Sequence, residues 1–153
     1  MDTELATPGD VASLHDLARA AFAPYTARIG QAPAPMSEDF AARVAAGAVT
    51  LARVEGRIVG YAVTEWRGTT LHIAAFALDP DRQRQGLGGR FLRLLERGAA
   101  AAGAARLSLY TNAAMQEARA FYPKQGFLET ARRREDGFDR VYFEKPLPGP
   151  TSE

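Results

Sequence analysis

Two rhythms of apolar residues run along this chain, and the switch between them is sharpest between residues 71 and 97. Positions 71–78 are apolar except for His72, and Asp79-Pro80 then gives a turn signal that cannot continue a central strand, so the segment predicts a strand. From residue 87 the period lengthens. Leu87, Phe91, Leu94, Leu95 and Gly98 share one face at helical spacing while Arg90, Arg93 and Arg97 fall elsewhere, which predicts a helix reaching about residue 102 and ending at Gly103. Gln83-Arg84-Gln85-Gly86-Leu87-Gly88-Gly89 joins the two.

Upstream, residues 4–7 predict a short strand and Pro8-Gly9-Asp10 opens a helix through about Phe22, with Leu14, Leu17 and Ala18 on its apolar face and His15 off it, on the solvent side. Residues 23–36 are proline-rich without periodicity and read as a long loop, in which Tyr25 and Arg28 are either substrate contacts or packing residues. Ser37 is placed to cap a helix to about residue 46. Strands at 49–54 and 58–66, joined by Glu55-Gly56-Arg57, and the strand at 71 after Arg67-Gly68-Thr69 make an antiparallel meander. Downstream, 106–111 predicts a strand parallel to 71–78, because a helix connects them, and this puts the glycine loop at the carboxyl end of the first strand. Asn112 is placed to cap a helix that carries Met115, Ala118, Phe121 and Tyr122 and stops at Gly126. A hairpin follows, 128–134 and 140–144 across Glu135-Asp136-Gly137. The fold class is mixed α/β of the α+β type, with one domain over residues 1–147 and a tail, 148–153, expected to be disordered.

Three glycines in four residues at a helix start cost roughly 0.5–1 kcal/mol apiece relative to alanine. A ligand that approaches the bare main chain would offset that, because the first N–H groups of a helix lack internal partners and carry the positive end of its dipole. Arg82, Arg84 and Arg90 surround the spot and suit a ligand with more than one phosphate. The competing reading is that the glycines only turn the chain and let helix and strand pack closely. A Walker loop is excluded because this loop has no lysine, and the dinucleotide fingerprint is excluded by Phe91 where a small residue belongs.

Composition narrows the chemistry further. The 153 residues contain no cysteine, which removes disulfides, thiolate metal sites and a cysteine nucleophile. Two distant histidines, His15 and His72, argue against a metal centre, and a formal net charge of +1 argues against general nucleic-acid binding. The polar, acidic start does not read as a secretory signal and no run is long enough to span a bilayer, so a cytoplasmic protein is expected.

Taken together, Gln83, Gly86 and Gly88, and the later segment with Phe121, Tyr122, Gly126 and Phe127, resemble the two motifs of the GNAT superfamily of N-acetyltransferases, and the element order agrees from about residue 4 to 147. The resemblance implies a twisted, mostly antiparallel sheet of six to seven strands, flanked by about four helices, whose fourth and fifth strands are parallel and splay apart. It implies acetyl-CoA as acyl donor, with a site formed by Gln83, Arg84, Gln85, Gly86, Leu87, Gly88, Gly89, Arg90 and Asn112 and by the main chain of Phe76 and Leu78, pairing with the pantetheine arm as an added strand. Tyr122 matches the position whose phenol faces the coenzyme sulfur, and so is the expected general acid. His72, at a position that bears a catalytic carboxylate in some relatives, and Glu65 are the candidate bases, with a water relay as the alternative. The resemblance implies an N-acetyltransferase acting in a ternary complex on a primary amine of a small molecule or peptide, with a coenzyme A binding module without turnover as the alternative. Homodimers are frequent in the family. The acceptor is expected to be chosen by residues 23–36, the strand end near Glu65 and the last hairpin with Arg132, Arg133 and Arg134. Met115, where relatives often have asparagine, and Pro123, directly after Tyr122, depart from the pattern.

Overall fold

Glu55 and Gly56 adopt positive φ (53° and 79°), as do Asp136 and Gly137 (51° and 80°). This left-handed pair lets a two-residue turn match the twist of its strands. The turns set the registers Val54↔Arg57 and Glu135↔Phe138, from which the two outer hairpins follow. The computed structural model describes residues 1–82 and 85–148, the side chains of residues 34 and 37 excepted. The predicted tail beyond residue 148 lies outside that range.

The strands are β1 (Asp2–Leu5), β2 (Val49–Val54), β3 (Arg57–Arg67), β4 (Thr70–Leu78), β5 (Arg106–Asn112), β6 (Leu128–Glu135) and β7 (Phe138–Pro146). They form one sheet in the order β1-β2-β3-β4-β5-β7-β6, antiparallel except for β4 and β5. The helices are α1 (Val11–Phe22), α2 (Thr26–Ile29), α3 (Phe40–Ala45), α4 (Leu87–Ala101) and α5 (Gln116–Lys124). On one face α1 and α3 bury Leu14, Leu17 and Phe40 against Leu51, Tyr61 and Val63. On the other, α4 and α5 bury Leu92 and Tyr122 against Leu107, Leu109 and Phe143. No helix among the described residues is long and apolar enough to cross a membrane.

The expected long loop at 23–36 is instead a run of short helical turns: Ala23–Tyr25, α2 and Ala34–Ser37. Pro24 and Pro35 sit in the first turns, where their missing N–H is no loss, and Gly30 (φ 84°) ends α2. Each piece is too short for a period to register. Two caps also differ from expectation. Asp39, not Ser37, caps α3, accepting from the Ala42 N–H at 3.1 Å. Asn112 ends β5 and folds its Oδ1 onto the Ala114 N–H (2.9 Å), so α5 starts later, after Met115. His15 is half-buried rather than solvated, with its ring edge-on to Phe40 at 4.9 Å. On α4 the deeply buried positions are Phe91 and Leu92, whereas Gly98 is exposed.

The feature that positions the site is where β4 leaves β5. Their pairing runs only from Thr70↔Arg106 to Ile73↔Leu109. Directly afterwards β4 carries one residue too many against β3, since Thr64 pairs Ile73 and Val63 pairs Ala75, so Ala74 is a bulge. A bulge bends its strand and increases local twist. Past it β4 stays with β3 to Leu78 while β5 stays with β7 to Asn112, and a wedge-shaped gap opens between them.

Candidate active site

The gap is a cleft with about 730 Å³ of empty space, its mouth included. β4 lines it with Ile73 to Phe76 and β5 with Leu109 to Asn112. Cross-strand partners leave a sheet on the same side, so Asn112 with Arg140 and Tyr110 with Tyr142 face one way, while Leu109, Phe143 and Val141 face α4 and α5. The cleft is therefore lined by residues from both faces of the sheet.

On the α4 face, Gly86 caps the helix in the left-handed conformation (φ 74°), which an L side chain adopts only with strain. Among the described residues no side chain caps this terminus, and its first turn carries no acid. The Arg90 N–H reaches back to the Gly86 carbonyl at 3.2 Å, and among the described residues the N–H groups of Leu87, Gly88 and Gly89, which precede it, have no intrahelical acceptor. A Cβ at Gly88 would touch the Phe121 ring at ordinary contact distance, 3.4 Å, whereas one at Gly89 would stand 3.2 Å from both the Arg93 and Gln125 side chains. Gln85 and Arg90 are exposed beside it and Arg82 is half-buried; Gln83 and Arg84 lie outside the described residues. This donor set fits a diphosphate. Phe76 stacks on Phe91 (5.3 Å) and Phe121 (6.4 Å), and Leu78 packs with Leu87 and Phe91.

Tyr122 reaches the cleft from α5. Its ring is 7% exposed and packs edge-on to Phe121 (5.2 Å) and Phe127 (5.7 Å). Burial raises the phenol pKa, which keeps it protonated and able to donate near neutral pH. Pro123 sits in the last turn of α5 and does not unwind it, since the Gln125 and Phe127 N–H groups both return to the Tyr122 carbonyl (3.0 and 3.1 Å).

Residues 12–127 match the family model of the acetyltransferase (GNAT) family. The chain belongs to this family. As a GNAT acetyltransferase it takes its acetyl group from acetyl-CoA. Solved structures agree in fold. PaiA N-acetyltransferase from Thermoplasma acidophilum, in complex with coenzyme A, superposes with a TM-score of 0.80 at 17% identity, over 95% of this chain and 98% of that one. The ribosomal-protein-S18-alanine N-acetyltransferase of Escherichia coli gives 0.77 at 22% identity, over 99% and 96%. A GNAT family acetyltransferase from Elizabethkingia anophelis with acetyl-CoA bound gives 0.75 at 22%, over 95% and 97%. No curated protein shows a significant match.

The two candidate bases of this GNAT enzyme do not line the cleft. His72 is 2% exposed, with Nδ1 2.8 Å from the Ser108 hydroxyl and its ring stacked on Tyr110 at 5.8 Å. Burial, reinforced by Arg67, pushes its pKa down to about 4, so the imidazole is neutral at physiological pH. Glu65, its cross-strand partner, is held by Arg43 (3.1 Å) and Arg67 (2.6 Å). Burial draws that carboxyl upward, but hydrogen bonds from the two arginines outweigh it and the pKa is lowered. Both residues belong to a polar row, Glu65, His72 and Ser108, that crosses the sheet beside the cleft. Asn112 does line the cleft, and the Thr111 hydroxyl turns to the Met115 sulfur at 3.7 Å.

The face opposite α4 is roofed by the segment between α1 and α3, whose Ile29, Pro33 and Pro35 reach the cleft. That roof is pinned at two points. Arg28 donates from Nη1 to both carboxylate oxygens of Glu117 on α5 (3.0 and 2.7 Å), and Gln31 Nε2 donates to the Gly137 carbonyl in the last hairpin (2.9 Å). Tyr25 lies under Arg28, 5.1 Å away, rather than in the cleft lining. The hairpin arginines named from the sequence also point elsewhere: Arg132 pairs with Asp139 and Arg133 covers the Tyr142 ring. The hairpin cation that does reach the cleft is Arg140, with Phe138 beside it and Tyr110 beneath.

Proposed function

We propose that this acetyltransferase acts on a primary amine of a small molecule or peptide, by direct attack while donor and acceptor are both bound. Acetyl-CoA supplies an activated acetyl thioester when bound. What supports the reading is the cleft between the splayed strands, with Tyr122 and Arg140 in its lining, together with the glycine-capped start of α4, the helix that follows β4. The N–H groups of Leu87, Gly88 and Gly89 would hold the pyrophosphate, with Arg82 and Arg90 adding charge. The β4 main chain beyond the bulge, around Phe76, would pair with the pantetheine arm as a further strand. Tyr122 would give its proton to the departing sulfur. An amine acceptor is supported by relatives that are N-acetyltransferases by name.

Direct transfer is supported by the absence of cysteine from the chain. The described lining holds no carboxylate and no histidine, the side chains that ordinarily accept a proton near neutral pH. The acceptor ammonium would therefore lose its proton to water. The test is thiol release from acetyl-CoA by the purified protein over a panel of amines, with the acetylated amine identified by mass spectrometry. Amine-dependent release supports the reading, and donor binding by calorimetry with no release from any amine refutes it.

A further inference from the structure

Arg140 is a cation that the fold only partly neutralises. It lines the cleft, and its side chain is 14% exposed. Its guanidinium lies 4.3 Å over the Tyr110 ring and 5.4 Å from the Phe138 ring. These contacts attract the charge but do not engage its five N–H donors in the plane. Among the described residues its one side-chain hydrogen bond goes to Asp136 at 3.4 Å, a marginal length, and Asp136 is itself 82% exposed. The other carboxylates nearby are committed: Asp139 to Arg132, Glu135 to the Tyr142 hydroxyl and Glu117 to Arg28.

A largely buried guanidinium with unused donors is costly unless something acidic completes it. The described lining offers no carboxylate; it holds Asn112, the cross-strand partner of Arg140, as a polar neighbour, and its apolar part includes Ile29, Pro33, Pro35 and Phe138. Building on the amine-acetylation reading above, we propose that Arg140 recognises an acidic group on the acceptor, so that the preferred acceptors are small amino carboxylates with an apolar body. The amine end is directed toward the splay and the carboxylate toward β7. A polyamine or a lysine side chain brings only positive charge to a chamber whose one full charge is already positive, and both are disfavoured. The pinned roof favours a free amino acid over a peptide as the source of the carboxylate.

The experiment compares, on the wild-type enzyme, phenylalanine and leucine with their carboxamides, with phenethylamine, with spermidine and with a short acidic peptide. Expected is a kcat/KM at least about tenfold higher for each acid than for its amide, as a charged hydrogen-bonded pair confers. In Arg140→Met that ratio falls toward one, while Arg140→Lys keeps part of it; donor affinity by calorimetry shows that each variant is folded. Amides or polyamines acetylated as well as the acids would overturn the proposal while leaving amine acetylation standing. So would acetylation of the acidic peptide but not of the free amino acids. Thiol release from no amine at all would instead remove the reading beneath it.

Discussion

His72 gives a test that separates support of the sheet from catalysis. Its pKa lies at about 4 in the folded chain, against 6.5 for a free imidazole, chiefly because it is buried. The unfolded chain therefore binds the extra proton first as pH falls. The stability associated with the neutral ring is present in full above about pH 6.5 and is lost as pH falls to about 4. Each pKa unit corresponds to about 1.4 kcal/mol, which bounds the loss at about 3 kcal/mol. Relaxation and water penetration around the protonated ring lower the burial penalty to about 1–2 kcal/mol. The assay is urea unfolding of the wild type and of His72→Gln from pH 4 to 7.5. Carboxylates titrate alike in both and cancel, so the wild-type advantage should shrink by about 1–2 kcal/mol from the neutral to the acid end. A difference that stays constant with pH, or grows as pH falls, would refute the argument. The variant's kcat/KM should keep the wild-type dependence on pH, whereas a base at His72 would remove an ionisation from it.

Tyr122→Phe keeps the ring packed against Phe121 and Phe127, so its melting temperature should move little while kcat drops by about a hundredfold or more; stopped assays at saturating donor check this. Gly86→Ala meets no atom within 4 Å but must hold φ at 74°, so it should lose about 1 kcal/mol in urea unfolding and bind acetyl-CoA several-fold more weakly by calorimetry. Asp39→Ala removes the α3 cap far from the donor helix; about 1 kcal/mol, or about 2–4 °C in a thermal melt, should go with acetyl-CoA affinity unchanged.

Much of this arrangement was legible in the chain, for identifiable reasons. The change of period around Gly86, the Gly-containing two-residue turns and the strand at 106–111 are local signals, and they fix the parallel pair and the helix terminus between its strands. The Ala74 bulge was not legible. Positions 71–78 are so uniformly apolar that an inserted residue leaves no break in alternation, although it helps turn β4 from β5. Asn112 illustrates a different ambiguity: one side chain can cap a helix or close a turn two residues on, and here it closes the turn. Arg140 was hidden among the hairpin arginines, because facing Asn112 across β5 is a matter of register that composition does not carry.

With only four residue pairs between β4 and β5, the molecule is two half-sheets joined along a short seam, four strands on one side and three on the other. A ligand lodged in the wedge is then a structural member as well as a reactant, since it bridges two half-sheets whose strands pair only at the narrow end. Changes as far away as Leu71 and Leu107, which sit in that seam, bear on the width of the opening and hence on how acetyl donor and acceptor face one another.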